Sequence, residues 1–141
     1  MTSDIRTRRK PPITFGQSDY EQLMRLAESG AGKPVFDELL AELERGRVTP
    51  DARLADTIVR MGTTLRYSTD AGEDRTVTLV FPQDADISAG KISILTPIGV
   101  ALIGLSAGQS IDWEARDGRI RRLTVESVDA GKADTTLLRA S

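Results

Sequence analysis

The spacing of apolar residues along this chain changes near Gly62. Between Ser18 and Gly46, apolar positions recur every three to four residues, which is the period of an amphipathic helix. After Gly62 the period is two, which is typical of strands with one buried face. Helices that precede a run of strands predict an α+β fold with an antiparallel sheet.

Two helices are predicted in the first part of the chain. The sequence from Ser18 matches a capping box, so the first helix should begin there. It should end near Glu28, because a glycine-containing stretch follows. The second helix should run from about Pro34 to Arg45. Amphipathic helices joined by a short turn predict an antiparallel hairpin, a short coiled coil, over residues 14–47.

Two β-hairpins are predicted in the second part of the chain. The first pairs residues 64–68 with residues 76–81. The second pairs residues 110–115 with residues 120–128 around a tight Asp117-Gly118 turn. Apolar and polar side chains alternate in these segments, so each strand should bury one face.

An almost uncharged stretch, residues 91–104, lies between the two β-hairpins. It predicts a buried strand that leads into one short helix. Thr96 can cap that helix, Pro97 suits its first position, and Gly104 can end it. The apolar residues of this stretch that we expect in the core are Ile92, Ile94, Ala101, Leu102 and Ile103.

The remaining segments predict the division of the chain. Residues 1–13 are polar and basic, so we expect a disordered tail there. We expect a linker over residues 48–61 and a flexible tail over residues 131–141. The β domain should span residues 62–130. The basic run at residues 6–10 would suit a nucleic-acid contact, but we interpret it as a solvated tail, because so few charges are a weak signal.

Composition excludes several classes of function. The chain has 141 residues, a net charge of -2, and neither cysteine nor histidine. Thiolate metal sites, disulfides, histidine ligands and a Ser-His-Asp triad are therefore impossible, and we expect no metal and no cofactor. The charge gives no overall attraction to nucleic acid, so sequence-specific binding to it is not expected. No apolar run suits a membrane span or a secretory signal, so we expect a cytoplasmic protein.

Several short motifs lie at fixed spacing between Met61 and Val128. They are Asp84-Ala85-Asp86-Ile87, Gly90-Lys91-Ile92-Ser93-Ile94, Thr96-Pro97-Ile98-Gly99, Ala101-Leu102-Ile103-Gly104, Gly108-Gln109-Ser110 and Asp117-Gly118. With these motifs, residues from about Met61 to Val128 resemble the C-terminal domain of the bacterial transcript-cleavage factors GreA and GreB. Within that superfamily, the short N-terminal part of the chain resembles the Rnk group, described as regulators of nucleoside diphosphate kinase. Gly104-Leu105 and the stretch from Gly108 to Glu114 also resemble that group.

This resemblance implies an FKBP-like β domain that docks on bacterial RNA polymerase near its secondary channel. The residues implied in docking are Leu95, Thr96, Pro97, Ile98 and Gly99. Core packing and capping alone would also explain this junction, and the two roles are compatible. Leu95 departs from the Gre pattern, in which an acidic residue often precedes the Ser/Thr-Pro pair, so some polymerase contacts should differ.

The predicted hairpin tip departs from the Gre pattern more strongly. The tip residues are Glu28, Ser29, Gly30, Gly32 and Lys33. Gre factors carry two acidic residues at the tip of a long coiled coil, whereas this tip offers one carboxylate beside a lysine, and its reach is only about 20 Å. Prolyl isomerase activity would need an aromatic-lined pocket, and few aromatic residues are available for one.

We therefore expect a non-enzymatic regulator that binds RNA polymerase and competes with Gre factors without stimulating transcript cleavage. The first alternative is an adaptor that regulates nucleoside diphosphate kinase or another partner through the same junction or the hairpin. The second alternative is an enzyme or an enzyme-stimulating factor. It would be either a Gre-like cleavage factor that uses Glu28 and Asp19 or a weak prolyl isomerase.

Overall fold

A computed structural model describes residues 10–114 and 117–129 of the chain. Within these residues the chain forms three α-helices and seven strands, which confirms the α+β class. The helices are α1 (Gln17–Ser29), α2 (Pro34–Arg45) and α3 (Pro97–Leu102). The strands are β1 (Thr14–Gly16), β2 (Arg47–Thr49), β3 (Thr64–Thr69), β4 (Asp74–Val80), β5 (Lys91–Ser93), β6 (Ser110–Glu114) and β7 (Ile120–Val128).

Helices α1 and α2 form the predicted hairpin, but α1 does not begin as expected. It starts at Gln17, one residue early, and its N-cap is Gly16, which has no side chain to cap the helix. The Ser18 hydroxyl does not cap either, because it donates a hydrogen bond to the Asp51 carboxylate. The capping-box prediction is therefore wrong, since a partner distant in sequence binds the serine.

The five-stranded sheet has the order β5-β4-β3-β7-β6. The pairs β3–β4, β3–β7 and β6–β7 are antiparallel, as predicted. The pair β4–β5 is parallel, which corrects the expectation of a purely antiparallel sheet. The connection between these two strands, residues 81–90, is long enough to return the chain to the starting side of β4, so β5 runs in the same direction.

A second, two-stranded sheet joins the base of the hairpin. Strand β1 pairs in parallel with β2, so the residues before α1 lie beside the residues after α2. Both strands have three residues, which is too short for a period of two to be recognised in the sequence. This small sheet closes the hairpin at its base.

The hairpin and the β domain share one hydrophobic core, which includes Leu23 and Leu39 of the hairpin and Leu65 and Leu123 of the sheet. The predicted linker contributes to this core through Val59, whose amide donates to the Leu105 carbonyl at 2.8 Å. Residues of the predicted linker and of the end of the predicted N-terminal tail are therefore packed against the hairpin and the sheet. The buried residues that fall inside those segments are Ile13, Leu54, Ile58 and Val59.

The rest of the predicted tails, residues 1–9 and 131–141, lies outside the described residues. No helix in the described part of the chain combines the length and the apolar character needed to cross a membrane.

The strand-to-helix junction at residues 91–104 is largely as predicted. The Thr96 hydroxyl oxygen accepts from the Gly99 amide at 3.1 Å and so caps α3. Gly104 follows the helix with φ of +84°, a left-handed conformation that favours glycine. Ile94, Ala101, Leu102 and Ile103 are buried, whereas Ile92 is only partly buried. The junction therefore places its apolar residues in the core and leaves one, Ile92, at the edge of it.

Candidate docking groove

The inner face of the five-stranded sheet is only partly covered. Helix α3 has six residues and a length of about 9 Å, while the nine residues of β7 extend for about 30 Å. A helix this short cannot cover the whole face. The uncovered part forms a concave groove with a volume of about 800 Å³.

Two aromatic side chains form the floor of this groove. Tyr67 on β3 lies directly opposite Arg75 on β4, and Trp113 on β6 lies opposite Arg121 on β7. Directly paired residues point to the same face of a sheet, so all four side chains face the groove. Tyr67 is 4% exposed and Trp113 is 9% exposed, so each ring is packed against its neighbours.

The walls of the groove are mainly apolar. Thr96, Pro97 and Ile98 contribute one wall from the start of α3, and Ile92 contributes from β5. Ile87 stands on the loop before β5, also lines the groove, and is 86% exposed. A large aliphatic side chain with this exposure adds to the apolar surface that the groove offers to a partner.

The residues predicted to dock a partner divide into three groups. Thr96, Pro97 and Ile98 line the groove and are partly exposed. Leu95 packs against the core. Gly99 is buried, and a Cβ at this position would lie 2.4 Å from the Ser93 carbonyl oxygen. Gly99 therefore serves the close approach of α3 to the end of β5, and its assignment to the docking surface is wrong.

Charged groups surround the groove, and their pairs are exposed. Arg121 lies 3.1 Å from the Asp117 carboxylate, and Arg75 lies 3.7 Å from Glu73. The Arg119 amide that donates to Asp117, with the nearby arginine charges, lowers the pKa of Asp117. Exposed ion pairs of this kind contribute little to stability, so these cations remain available to a partner.

Arg75 and Arg121 are functional candidates that the sequence analysis did not single out. Arg75 shares its side of β4 with the buried residue Val77, and Arg121 shares its side of β7 with the buried residue Leu123. A charged residue in register with buried neighbours marks the place where a sheet face becomes uncovered. This signal was present in the alternation of both strands.

The hairpin tip forms a separate region, and the groove is lined by the β domain. Glu28, Ser29, Gly32 and Lys33 are exposed at the tip. Gly30 is buried, and a Cβ there would lie 2.4 Å from the Phe36 ring.

Asp37, in the first turn of α2, holds the tip loop. Its carboxylate accepts from the Gly32 amide at 2.9 Å. No cluster of three or more potential metal ligands occurs among the described residues.

Polar contacts hold the base of the hairpin, and one of them reaches the segment before β3. The Asp19 carboxylate accepts from the Met61 amide at 2.9 Å, and burial raises the pKa of Asp19. Glu42 is 4% exposed and lies 2.9 Å from both Lys10 and Arg45. The Asp19 contact ties α1 to the segment before β3, and the Glu42 contacts tie α2 to the residues before β1.

Comparison with known proteins shows the family to which the chain is similar. Residues 54–130, more than half of the chain, match the family described as "Transcription elongation factor, GreA/GreB, C-term". A relative from Escherichia coli K12 named "Regulator of nucleoside diphosphate kinase" is 34% identical over 119 residues, which cover 82% of this chain and 88% of that relative. The GreA of Rhodospirillum rubrum is 38% identical over 108 residues, covering 71% of this chain and 69% of that protein.

A solved structure supports the same assignment. The prokaryotic transcription elongation factor GreA/GreB from Nitrosomonas europaea is 38% identical and superposes with a TM-score of 0.67, covering 84% of this chain and 98% of that one. The likeness extends over the hairpin as well as the sheet, since it covers most of both chains. The chain therefore belongs to the family of the GreA/GreB C-terminal domain.

Proposed function

We propose that this protein is a non-enzymatic regulator that binds bacterial RNA polymerase in the cytoplasm, at the rim of the secondary channel. It competes there with Gre factors and does not stimulate transcript cleavage. The observation that carries this proposal is the position of Thr96, Pro97 and Ile98. In a chain of the GreA/GreB family, these residues stand partly exposed on the wall of a concave apolar groove.

The wall is rigid, which suits docking. Pro97 has a restricted backbone, and the Thr96 hydroxyl both donates to the Ser93 carbonyl at 2.8 Å and caps α3. A surface that is already ordered loses little conformational entropy when a partner binds. Ile98 beside this fixed corner supplies apolar area that the partner can bury.

The hairpin supports the absence of cleavage activity. Helix α1 has 13 residues and a length of about 20 Å, so the tip projects only a short distance. Glu28 is the carboxylate of the tip, and Asp37 is engaged with the tip loop. A site that helps to hold a divalent cation needs several oxygen ligands. The positive charge of Lys33 at the same tip repels a cation.

The test compares matched aspartate substitutions in equilibrium binding to purified RNA polymerase. Pro97→Asp and Ile98→Asp place a charge on the apolar wall, so we expect each to weaken binding about tenfold or more. Val48→Asp is the control, because Val48 is 40% exposed on β2 and does not line the groove. It should bind as the unmodified protein does. Equal binding by all three variants would refute docking through this wall.

The assay for cleavage is separate. Paused elongation complexes with backtracked RNA should show no magnesium-dependent shortening when this protein is added. Shortening above the level without the protein would refute the argument from the hairpin tip.

A second candidate function is an adaptor that regulates nucleoside diphosphate kinase. The name of the Escherichia coli relative, which is 34% identical, favours it. Affinity capture with this protein from a bacterial lysate, followed by mass spectrometry, separates the two candidates. Recovery of the kinase without polymerase subunits would favour the adaptor, and recovery of polymerase without the kinase would favour our first proposal.

A further inference from the structure

The residues before β1 lie along α2. The Ile13 carbonyl accepts from the Arg47 amide at 3.0 Å, just after the end of the helix. Two residues earlier, the Pro11 carbonyl accepts at 2.7 Å from the guanidinium of Arg45, in the last turn of the helix. Earlier residues of this segment thus meet earlier residues of the chain around α2. Followed toward the N-terminus, the segment therefore runs along the helix in the direction of the hairpin tip.

Lys10 continues this course and reaches a buried carboxylate. Its ammonium lies 2.9 Å from the carboxylate of Glu42, whose side chain is 5% exposed. The next carboxylate on the same face of α2 belongs to Glu38, one helical turn from Glu42. Glu38 is exposed, and its carboxylate makes no ion pair or hydrogen bond with another described residue. One step further along the helix, a carboxylate is therefore open to a cation.

Glu38 stands at the rim of a small cleft between α2, α3 and β6. The cleft has a volume of about 120 Å³. Two arginines just outside it pair with two of its carboxylates, and the carboxylates still outnumber the cations among the described residues. This excess favours a basic segment as the occupant. The described charged residues that line the cleft are Lys10, Glu38, Glu42, Asp112 and Glu114.

An arginine lies at the required distance along the chain. From Glu42 to Glu38 the helix advances about 6 Å, and two residues of extended chain advance about 7 Å. The residue two positions before Lys10 is Arg8. Alternate side chains of an extended segment point to the same side, so Arg8 shares the side of Lys10, and Arg9 points the other way. In an extended segment, Arg8 therefore matches Glu38 as Lys10 matches Glu42.

We propose that residues 6–9 dock in extended form along α2, with the Arg8 guanidinium paired with the Glu38 carboxylate at the rim of the cleft. Composition alone predicts a solvated tail, because it does not show where the segment is anchored. The contacts of Lys10 and Pro11 supply that anchor and the direction in which the chain leaves it.

The docked segment borders the surface that we propose for a partner. Pro97 and Trp113 line both this cleft and the docking groove. Docking of the segment therefore places its positive charge beside the groove. The contact lies within one chain and does not depend on the proposed function.

Measurement of ¹⁵N relaxation on the whole chain tests the docking. At an ionic strength of about 0.01 M, the amide order parameters at residues 6–9 should lie above about 0.6, the level below which a backbone is flexible. At about 1 M salt, which screens charges beyond about 3 Å, they should fall below that level. Values on the same side of this level at both ionic strengths would overturn the inference.

Arg8→Gln and Arg9→Gln make the same chemical change at neighbouring positions. Arg8→Gln should lower the order parameters below about 0.6 at low salt and shift the amide resonance of Glu38, because it removes the ion pair. Arg9→Gln should do neither, because its side chain points away from the helix. Equal effects of the two substitutions would contradict the proposed pairing.

Glu38→Gln tests the other partner, and Glu44→Gln is its control. Both residues are exposed on α2, and Glu44 does not line the cleft. Glu38→Gln should release the segment, whereas Glu44→Gln should leave the order parameters unchanged. Order at residues 6–9 that rises with protein concentration would assign the cleft to the segment of a second copy and overturn the contact within one chain.

Discussion

The two ends of the inner face of the sheet are built from the same strands and have different roles. At one end Leu65 and Leu79 are at most 1% exposed and share a core with α3 and the hairpin. At the other end Tyr67 and Trp113 form the floor of an open groove. The strands continue from one end to the other, so the cover above them makes the difference.

This comparison shows how a short helix creates a site. Because α3 covers only part of the face, the same alternation that builds the core leaves charged side chains in solvent further along, above two largely buried aromatic rings. Stability should therefore depend on the covered end, and partner binding on the open end. The two properties should be separable by substitution, and the predictions below are ordered by their expected effect on stability.

The largest effect is expected from Leu79→Ala at the covered end. Leu79 is 0% exposed, so the substitution removes buried apolar contacts and leaves a cavity. The free energy of unfolding should fall by about 2–5 kcal/mol, as measured by denaturant titration. A loss below about 1 kcal/mol would mean that this end is not the packed core of the domain.

A smaller loss is expected from Gly99→Ala, at the boundary between the two ends. The new Cβ would lie 2.4 Å from the Ser93 carbonyl oxygen, so α3 must move away from β5. The free energy of unfolding should fall by about 1–3 kcal/mol. Unchanged stability in a thermal melt would show that α3 does not approach the strand so closely.

Asp19→Asn tests the attachment of the hairpin near the covered end. Burial raises the pKa of Asp19 in the folded protein, so the ionised carboxylate is disfavoured by folding. The contribution of Asp19 to the stability of the fold is therefore greatest at a pH below its pKa in the unfolded chain. It falls as the pH rises through its pKa in the folded protein. Asparagine keeps an acceptor for the Met61 amide without the charge. The variant should equal or slightly exceed the unmodified protein in stability at pH 7.

The pH profile gives the decisive result for this substitution. The advantage of Asp19→Asn should shrink as pH falls through the window between the folded and the unfolded pKa. A variant that is clearly less stable at pH 7 and recovers at low pH would show that the ionised carboxylate stabilises the hairpin.

The smallest effect on stability is expected from Ile87→Ser at the open end. Ile87 is 86% exposed, so the free energy of unfolding should change by less than about 0.5 kcal/mol. Binding to polymerase should still weaken, because the groove loses apolar surface. Unchanged affinity would restrict the docking surface to the α3 wall.

The sequence allowed the prediction of local features with a strong pattern. The two helices, both β-hairpins and the Thr96 cap follow from spacing and capping chemistry. Features that depend on distant residues could not be predicted. The Ser18 hydroxyl binds Asp51, and the parallel direction of β5 depends on the path of the preceding loop.

The candidate site was predicted in part. Thr96, Pro97 and Ile98 were identified from the resemblance, whereas burial of Gly99 depends on how closely α3 approaches a strand. The groove exists because α3 covers only part of the sheet. The pattern of residues in the sequence does not predict how much of a sheet a helix will cover. The coiled-coil and FKBP-like descriptions, and the absence of isomerase activity, stay predictions.

The central claim is that this protein docks on RNA polymerase at the Gre site, and competition binding tests it most directly. Purified protein should bind purified bacterial RNA polymerase at micromolar concentration, and added GreB should displace it fully. Absence of binding at that concentration, or binding that a saturating amount of GreB leaves unchanged, would contradict the claim.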